Sequence, residues 1–373
     1  MPEISYKIYN NIDAISKKDW DIVFGDIPES YSFYRALGNS ELKEFVFYYL
    51  LVYRDNEVAL IAPLFIADFN LDIAVEGFPA GVIKLLRKFF PRFLIIKTLF
   101  CGSPFGEYGV IGVRPGLSDS PKFLLQLLAG MEDLAFKLGA PLTIFKDFLK
   151  ESAPLLDYLL QQSFFKVESF PNVSLELNFS SFEEYLKSLG SSTRKNLRKK
   201  LRQAYSRGNI EVKMVREVKS QIDQIIQLYE NTYHGCSTKF ERLTIRFFLQ
   251  VTEDLSAQTR FFLYYVNGSL AAFNLCFVHK DLLIDKFIGF NYDISNLYNL
   301  YFVSWAHNVS WCIDNYLRYY HPGQTDYEPK IRLGGKIVPL YAYLRHKNKP
   351  FNLLLKLLAV LLKPDNFDKD IRK

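Results

Sequence analysis

The sequence predicts an α/β (α+β) protein of two tandem units, each a mixed central sheet flanked by helices. Three observations carry that expectation. First, the chain of 373 residues is longer than one compact domain, for which roughly 100 to 200 residues is usual. Second, hydrophobic residues at 49% and aromatics at 16%, beside 23% charged, supply side chains for buried cores and exclude collagen, coiled coil and disordered tail. Third, two hairpins, VYRDNEVALIAPLF (52–65) and YYVNGSLAAFNLCF (264–277), align with the turn and the following apolar strand in register, which reads as one unit duplicated.

In chain order, Ser16 opens a short helix with Asp19 in its first turn, and 45–52 reads as a strand. Asp55-Asn56 is the tight turn to a return strand, 57–66, and suits positive φ. CGSPFGEYGVIGV (101–113) is a loop and strand. Residues 121–138 place apolar side chains at three- and four-residue intervals, with Pro121 in the first turn and Gly139 at the end, so a helix is expected there, then a strand at 141–145. The boundary falls near Gln162 to Pro171. The second half repeats the order: helices over 181–254, a hairpin of 261–266 and 270–279 around Asn267-Gly268, a strand 282–288, a helix 296–316, and strands 317–320 and 337–341. The expected division is 1–165, 166–350, and an apolar-basic helix and tail at 351–373.

Several function classes fall away. Cys101, Cys236, Cys276 and Cys312 are scattered, without the close spacing of tetrahedral zinc sites, so no metal is expected. The N-terminus lacks an apolar h-region and no apolar run reaches the ~20 residues of a spanning helix, so the cytoplasm is the expected compartment. Two stretches nevertheless suit a headgroup interface. GVIKLLRKFFPRFLIIKTLF (81–100) interleaves Lys84, Arg87, Lys88, Arg92 and Lys97 with large apolar residues, and FNLLLKLLAVLLK (351–363) is nearly all leucine. They read either as a peripheral contact with anionic lipid at the inner membrane face or as a core-packing helix plus a basic loop.

A net charge of +6 does not by itself imply nucleic acid, but its clustering is informative. Ser181 to Glu184 form a capping box, Ser191-Ser192-Thr193 cap the next helix, and that helix stops at Gly208. Between Arg194 and Arg207 lie seven basic residues and no acid. Arg194, Arg198 and Arg202 recur every four residues on one face, a spacing suited to clamping a phosphate. The other readings are a solvated basic face or RNA contact; DNA is not expected, because no second helix-turn-helix element follows.

Ser-x-x-Arg-x-x-Leu-Arg at 191–198, GFNYD at 289–293 and PGQTDYEPKIRLGG at 322–335 resemble the FemAB-like branch of the GNAT (N-acyltransferase) superfamily. The resemblance implies two tandem GNAT-like domains, the first a scaffold and the second catalytic. It implies acyl-CoA as co-substrate, lying between two central strands, with its pyrophosphate at amides corresponding here to Gly289, Asn291, Ser295, Asn296 and Asn299. The usual Gln/Arg-x-x-Gly-x-Gly/Ala loop is absent, since 289–299 read GFNYDISNLYN. Some members of the branch instead take an aminoacyl group from tRNA and pass it to a cell-wall precursor, often with a long paired-helix arm. No heptad pattern of that length is present, so acyl-CoA is favoured here. The implied reaction is direct attack of an amine on the acyl group, and a non-catalytic membrane-surface binding protein is the reading from another class.

Such a reaction needs a proton acceptor and oxyanion stabilisation. His321, ending the last core strand, is the first candidate base. Lys330 matches the lysine of the family's Lys-x-x-x-Gly pattern and is a candidate for holding a phosphate or the oxyanion. Glu328 and Asp285 are reserve bases, and Tyr292 or Tyr298 could protonate the leaving thiolate. Arg194 and Arg198 would grip the acceptor's phosphate or carboxylate, with Arg202 and Tyr327 as further substrate contacts. For each, a packing or surface role is the alternative.

Overall fold

A computed structural model describes residues 3–71, 85–117, 120–235, 241–324 and 326–361. Cys236, Lys84 and the tail from 362 onward lie outside them. In chain order the strands are β1 Ile4–Tyr9, β2 Val46–Arg54, β3 Glu57–Asn70, β4 Ile95–Cys101, β5 Gly112–Val113, β6 Leu142–Phe148, β7 Phe165–Glu176, β8 Ile210–Val215, β9 Thr259–Val266, β10 Ser269–His279, β11 Leu282–Phe290, β12 Tyr319–His321 and β13 Lys336–His346. Two compact units result, one of Met1–Gly38, Leu42–Pro171 and Pro339–Lys373, the other of Asn39–Glu41 and Asn172–Val338. The division by sequence put everything from 166 to 350 in the second unit. In the structure the chain returns to the first unit at Pro339, because β13 pairs antiparallel with β6 from Tyr341↔Phe148 to His346↔Leu142.

The first unit's sheet has the order β1-β2-β3-β4-β6-β13, with β5 on β3. The second runs β8-β9-β10-β11-β12-β7, the same order with each strand's counterpart in place. In both, one neighbouring pair is parallel, β4 with β6 and β11 with β12, and a long helix joins its members, Ser120–Leu138 in one and Leu300–Asp314 in the other. Each hairpin turns on two residues of positive φ, Asp55-Asn56 at 49° and 66° and Asn267-Gly268 at 51° and 84°. Both residues of this kind of turn must enter that region, which asparagine, aspartate and glycine tolerate.

Apolar faces place the helices. Phe123, Leu127 and Met131 of Ser120–Leu138 pack on Leu50, Leu60 and Leu99 of the first sheet. Val303, Trp305, Val309 and Cys312 of Leu300–Asp314 cover Tyr264, Cys276, Leu283 and Tyr320 in the second. On that sheet's opposite face, helices Ile222–Gly235 and Ile245–Asp254 set Tyr229 and Phe247 edge-on to Phe287 at 6.4 and 5.6 Å, and Phe248 edge-on to Phe273 at 5.7 Å. No described helix is long and apolar enough to cross a membrane.

Two helix boundaries differ from the sequence reading. The helix expected over 296–316 starts at Leu300, after a separate turn at Tyr292–Ser295, because Asn299 is left-handed (φ 48°) and interrupts the helical path. The basic helix Ser191–Arg207 starts behind Gly190 without a side-chain cap, so Ser191 to Thr193 are helix rather than cap.

Gly289 is fixed by packing. A Cβ there would stand 2.7 Å from the Leu228 carbonyl carbon and 2.8 Å from the Tyr229 nitrogen, so helix Ile222–Gly235 approaches β11 at backbone distance. Gly289→Ala is therefore expected to cost about 3 kcal/mol in urea unfolding, whereas Gly190→Ala, which meets nothing within 4 Å, should be near neutral. A second expectation concerns His307, whose ring packs on Phe262 at 4.8 Å. Burial pushes its imidazole down from 6.5 to about 4. The unfolded chain therefore binds that proton more readily: stability is fully present above pH 6.5 and is lost as pH falls through 4, by about 3 kcal/mol in all. Urea midpoints against pH should show this slope for the wild type and a flatter one for His307→Gln.

Candidate functional site

The site is built where two parallel strands part. β11 and β12 are paired from Leu282↔Tyr319 to Ile284↔His321, after which β12 ends and β11 runs on to Phe290. Just past the last pair, β11 bulges against β10, the register slipping between Leu275↔Phe287 and Cys276↔Asp285. A bulge re-aims side chains and twists its strand away from the neighbour. The chain leaving β12 is held by a turn at Gly323 (φ 76°), whose Cβ, were there one, would lie 3.4 Å from the Asp285 carbonyl oxygen. The chain after His321 thus stays against β11 at Asp285 although strand pairing has ended.

Asp285 sits at the bulge with its carboxylate turned toward helix Leu300–Asp314. Its Oδ1 accepts from Asn274 Nδ2 (2.5 Å), and its Oδ2 accepts from the Tyr320 hydroxyl (2.9 Å) and from Asn308 Nδ2 (3.4 Å). Asn308 Nδ2 also donates to Asn274 Oδ1 (2.7 Å) and to the Tyr320 oxygen (3.1 Å), and the Cys276 thiol donates to Asn274 Oδ1 (3.2 Å). Burial, reinforced by the Asp285 charge, pushes both the Tyr320 phenol and the Cys276 thiol well up, so both keep their protons at neutral pH and act as donors. The network converges on one carboxylate and ties β10, β11, β12 and the long helix together.

Successive strand residues face opposite ways, so His321, next to Tyr320, points to the face carrying Tyr229 and Phe247. The structure therefore does not bring His321 and Asp285 together: one lies on each face of the sheet where the pairing of β11 and β12 ends. His321 is buried. Lys330 is buried as well, and its ammonium donates to the carbonyls of Gly323 (3.0 Å) and Gln324 (2.9 Å). It latches the chain leaving β12. Glu328 is on the surface in an ion pair with Arg332. Tyr327 is buried, and Tyr292 is exposed beside Phe290.

The expected phosphate clamp is only partly assembled. Arg194 donates to the carbonyls of Lys187 (3.1 Å) and Leu189 (3.5 Å), at the end of helix Phe182–Ser188. Arg198 pairs with Glu183, and Arg202 alone of the three faces solvent without such a tie. Lys195 and Lys199, at four- and three-residue spacing with Arg202, are also exposed and form the basic face actually presented.

The residues expected at a pyrophosphate are engaged within their own loop. Asp293 N donates to Asn291 Oδ1 (3.0 Å), Ser295 N to Asn291 O (2.9 Å), Tyr298 N to Ile294 O (3.0 Å) and Asn299 N to Asn296 O (3.3 Å). Arg207 donates to Leu297 O (2.6 Å), Asn299 Nδ2 to Lys200 O (3.3 Å), and Asn267 Nδ2 to the Tyr298 hydroxyl (3.3 Å). The loop is thereby sealed to the basic helix. Among the described residues no group of three His, Cys, Asp or Glu could hold a metal ion.

In the first unit the parallel strands also stop pairing before one of them ends. β6 runs past the end of β4, and there Gly109 N donates to Asp147 O (2.8 Å), with the Gly109 Cα so close that a Cβ would meet the Phe148 ring at 2.6 Å.

Sequence reasoning missed Tyr320, Asn274, Asn308 and Cys276. The available signal was polar side chains inside apolar runs, Asn274 in FNLCF and Asn308 in AHNVSW, which must find buried partners.

The family described as FemAB-like, peptidoglycan biosynthesis/recognition, matches residues 158–356. No curated protein matches the sequence. Among solved structures, FemX is similar over 94% of this chain and 100% of its own, at 11% identity and a TM-score of 0.56. A tandem GNAT protein from the clavulanic acid biosynthesis pathway is similar over 93% of this chain and 99% of its own, at 10% identity and a TM-score of 0.52. L-PGS from Bacillus licheniformis is similar over 91% and 98%, at 11% identity and a TM-score of 0.50. The fold is that of tandem GNAT-like domains.

The latch can be checked directly. Lys330→Met leaves two carbonyls without their charged donor and is expected to cost about 2 to 3 kcal/mol in urea unfolding, with Lys330→Arg recovering part of it.

Proposed function

The chain belongs to the FemAB-like family, and on that premise we propose that it is an N-acyltransferase whose second unit passes an activated acyl group to an amine of a cell-wall precursor. The observation that carries this reading is the parting of β11 and β12 after Ile284↔His321, with His321 on one face and the Asp285 network on the other. A donor carbonyl lying beside β11 past its pairing with β12 would meet backbone N–H groups able to polarise it. The amine attacks the carbonyl carbon, its proton passes to His321, and the tetrahedral intermediate expels the donor's oxygen or sulfur. The Asp285–Tyr320–Asn308 network holds the strands at the required separation. Positioning supplies much of the rate in such direct transfers, because no covalent enzyme intermediate is needed.

For the donor, the loop 291–299 supports an aminoacyl ester of tRNA over acyl-CoA. A pyrophosphate cradle needs free amides, and those of Asp293, Ser295, Tyr298 and Asn299 are spent inside the loop. The exposed face of Lys195, Lys199 and Arg202 offers instead a surface suited to an RNA backbone.

Transfer of a labelled amino acid from charged tRNA to a muropeptide with a free side-chain amine tests this. His321→Ala should lower transfer by about 100-fold with tRNA retention unchanged. Replacing Lys195, Lys199 and Arg202 together by alanine should weaken tRNA retention and reduce the slope of log affinity against log salt by about 2. Thermal stabilisation by acetyl-CoA or longer acyl-CoAs without tRNA binding would return the donor to acyl-CoA, the first expectation from sequence. No transfer from either donor would defeat the enzymatic reading.

A further inference from the structure

We propose that the first unit docks on an anionic membrane surface through one end of its sheet. The register identifies that end. Leu142, at the start of β6, pairs with Thr98 near the start of β4 and with His346 at the end of β13, while Ile95 pairs with Asn70 at the end of β3. Neighbouring strands are ~4.8 Å apart, so β4 and β13, with β6 between them, are separated by about 10 Å. Three apolar segments are attached there. Residues 85–93 lead into β4, the last turn of Ser120–Leu138 leads into β6, and helix Lys349–Leu361 follows β13.

All three turn large apolar side chains outward. Phe89 is 73% exposed, Phe136 91% and Leu357 61%, and Phe90, Leu353, Leu354 and Leu358 are exposed beside them. These are held presentations rather than fraying ends. Arg87 donates to Phe93 O and to Asn70 Oδ1 (both 3.0 Å), and Arg92 pairs with Asp68 (2.8 Å), which fixes the segment before β4 to the end of β3. In the last helix Leu355 is buried, Asn352 Nδ2 donates to Ser163 O (2.9 Å) and Asn352 Oδ1 accepts from His346 N (2.8 Å), so the opposite leucines must face outward.

Charge selects the partner. Neither 81–100 nor 347–363 contains an acid, and Lys88, Lys347, Lys349 and Lys356 are exposed around the apolar residues. Helical spacing sets Lys349 and Lys356 along the border of the outward leucine stripe. Leucine and phenylalanine facing out with lysines at the rim match the acyl boundary and phosphates of an anionic bilayer. A second copy of the same face would set lysines against lysines, which disfavours self-association. The proposal does not depend on the donor or on transferase activity.

The test is co-sedimentation of the full chain with vesicles of phosphatidylcholine alone and with roughly one-third phosphatidylglycerol. Binding to the anionic vesicles, weakened by salt and slight on phosphatidylcholine, is expected. Phe89→Ser and the pair Leu353→Ser with Leu357→Ser should each lower partitioning by about tenfold. All three residues are exposed, so melting temperatures should hold. Lys349→Gln with Lys356→Gln should reduce binding to anionic vesicles selectively, and Tyr316→Ser, in the second unit, should change nothing. Absence of sedimentation with anionic vesicles, or wild-type partitioning of the leucine variants, overturns the proposal. Conversion of a dimer to a monomer by the leucine variants would overturn it too, giving the face to a second copy.

Discussion

Parallel strands share hydrogen bonds only while they run side by side, and β11 and β12 do so from Leu282↔Tyr319 to Ile284↔His321 alone. The surrounding structure manages that early parting. The bulge at Asp285 turns β11 away, Lys330 pins the departing chain through the carbonyls of Gly323 and Gln324, and Tyr320 and Asn308 fasten the last paired residues to the helix beneath. Gly289 then lets helix Ile222–Gly235 reach backbone distance along the part of β11 that has no β12 partner. Without these restraints the strands could close or splay at will, and the side chains where their pairing ends would have no fixed separation.

Local signals in the sequence were read well and distant ones poorly. Both hairpins were legible because Asp55-Asn56 and Asn267-Gly268 state their turn geometry in the residues themselves. The return of β13 to β6 was not, since strand pairing across nearly two hundred positions leaves no local mark. The arginine row was legible as a helix face, but not as one whose first two members are consumed by the helix before it: that requires knowing where the Lys187 carbonyl and Glu183 lie. Motif spacing marks Lys330 without saying that its ammonium holds the chain's own backbone carbonyls.

The two sheets repeat one strand order, yet they have gone separate ways at the same point. In the first, Gly109 packs beside the end of β6, small enough to press against Phe148. In the second, polar side chains are gathered where β11 and β12 part. Duplication leaves each copy free to vary at its loops while keeping its core.

The strand that completes the first sheet comes from the far end of the chain, so the second unit is an insertion within the first. A polypeptide emerging from the ribosome therefore meets its two folding tasks in reverse order. Residues 172–338 are all present, with β7 already waiting for β12, before β13 has been fully made. Until then β6 carries an unpaired edge, an invitation to wrong partners. Synthesis itself thus favours finishing the second unit first and closing the first sheet last.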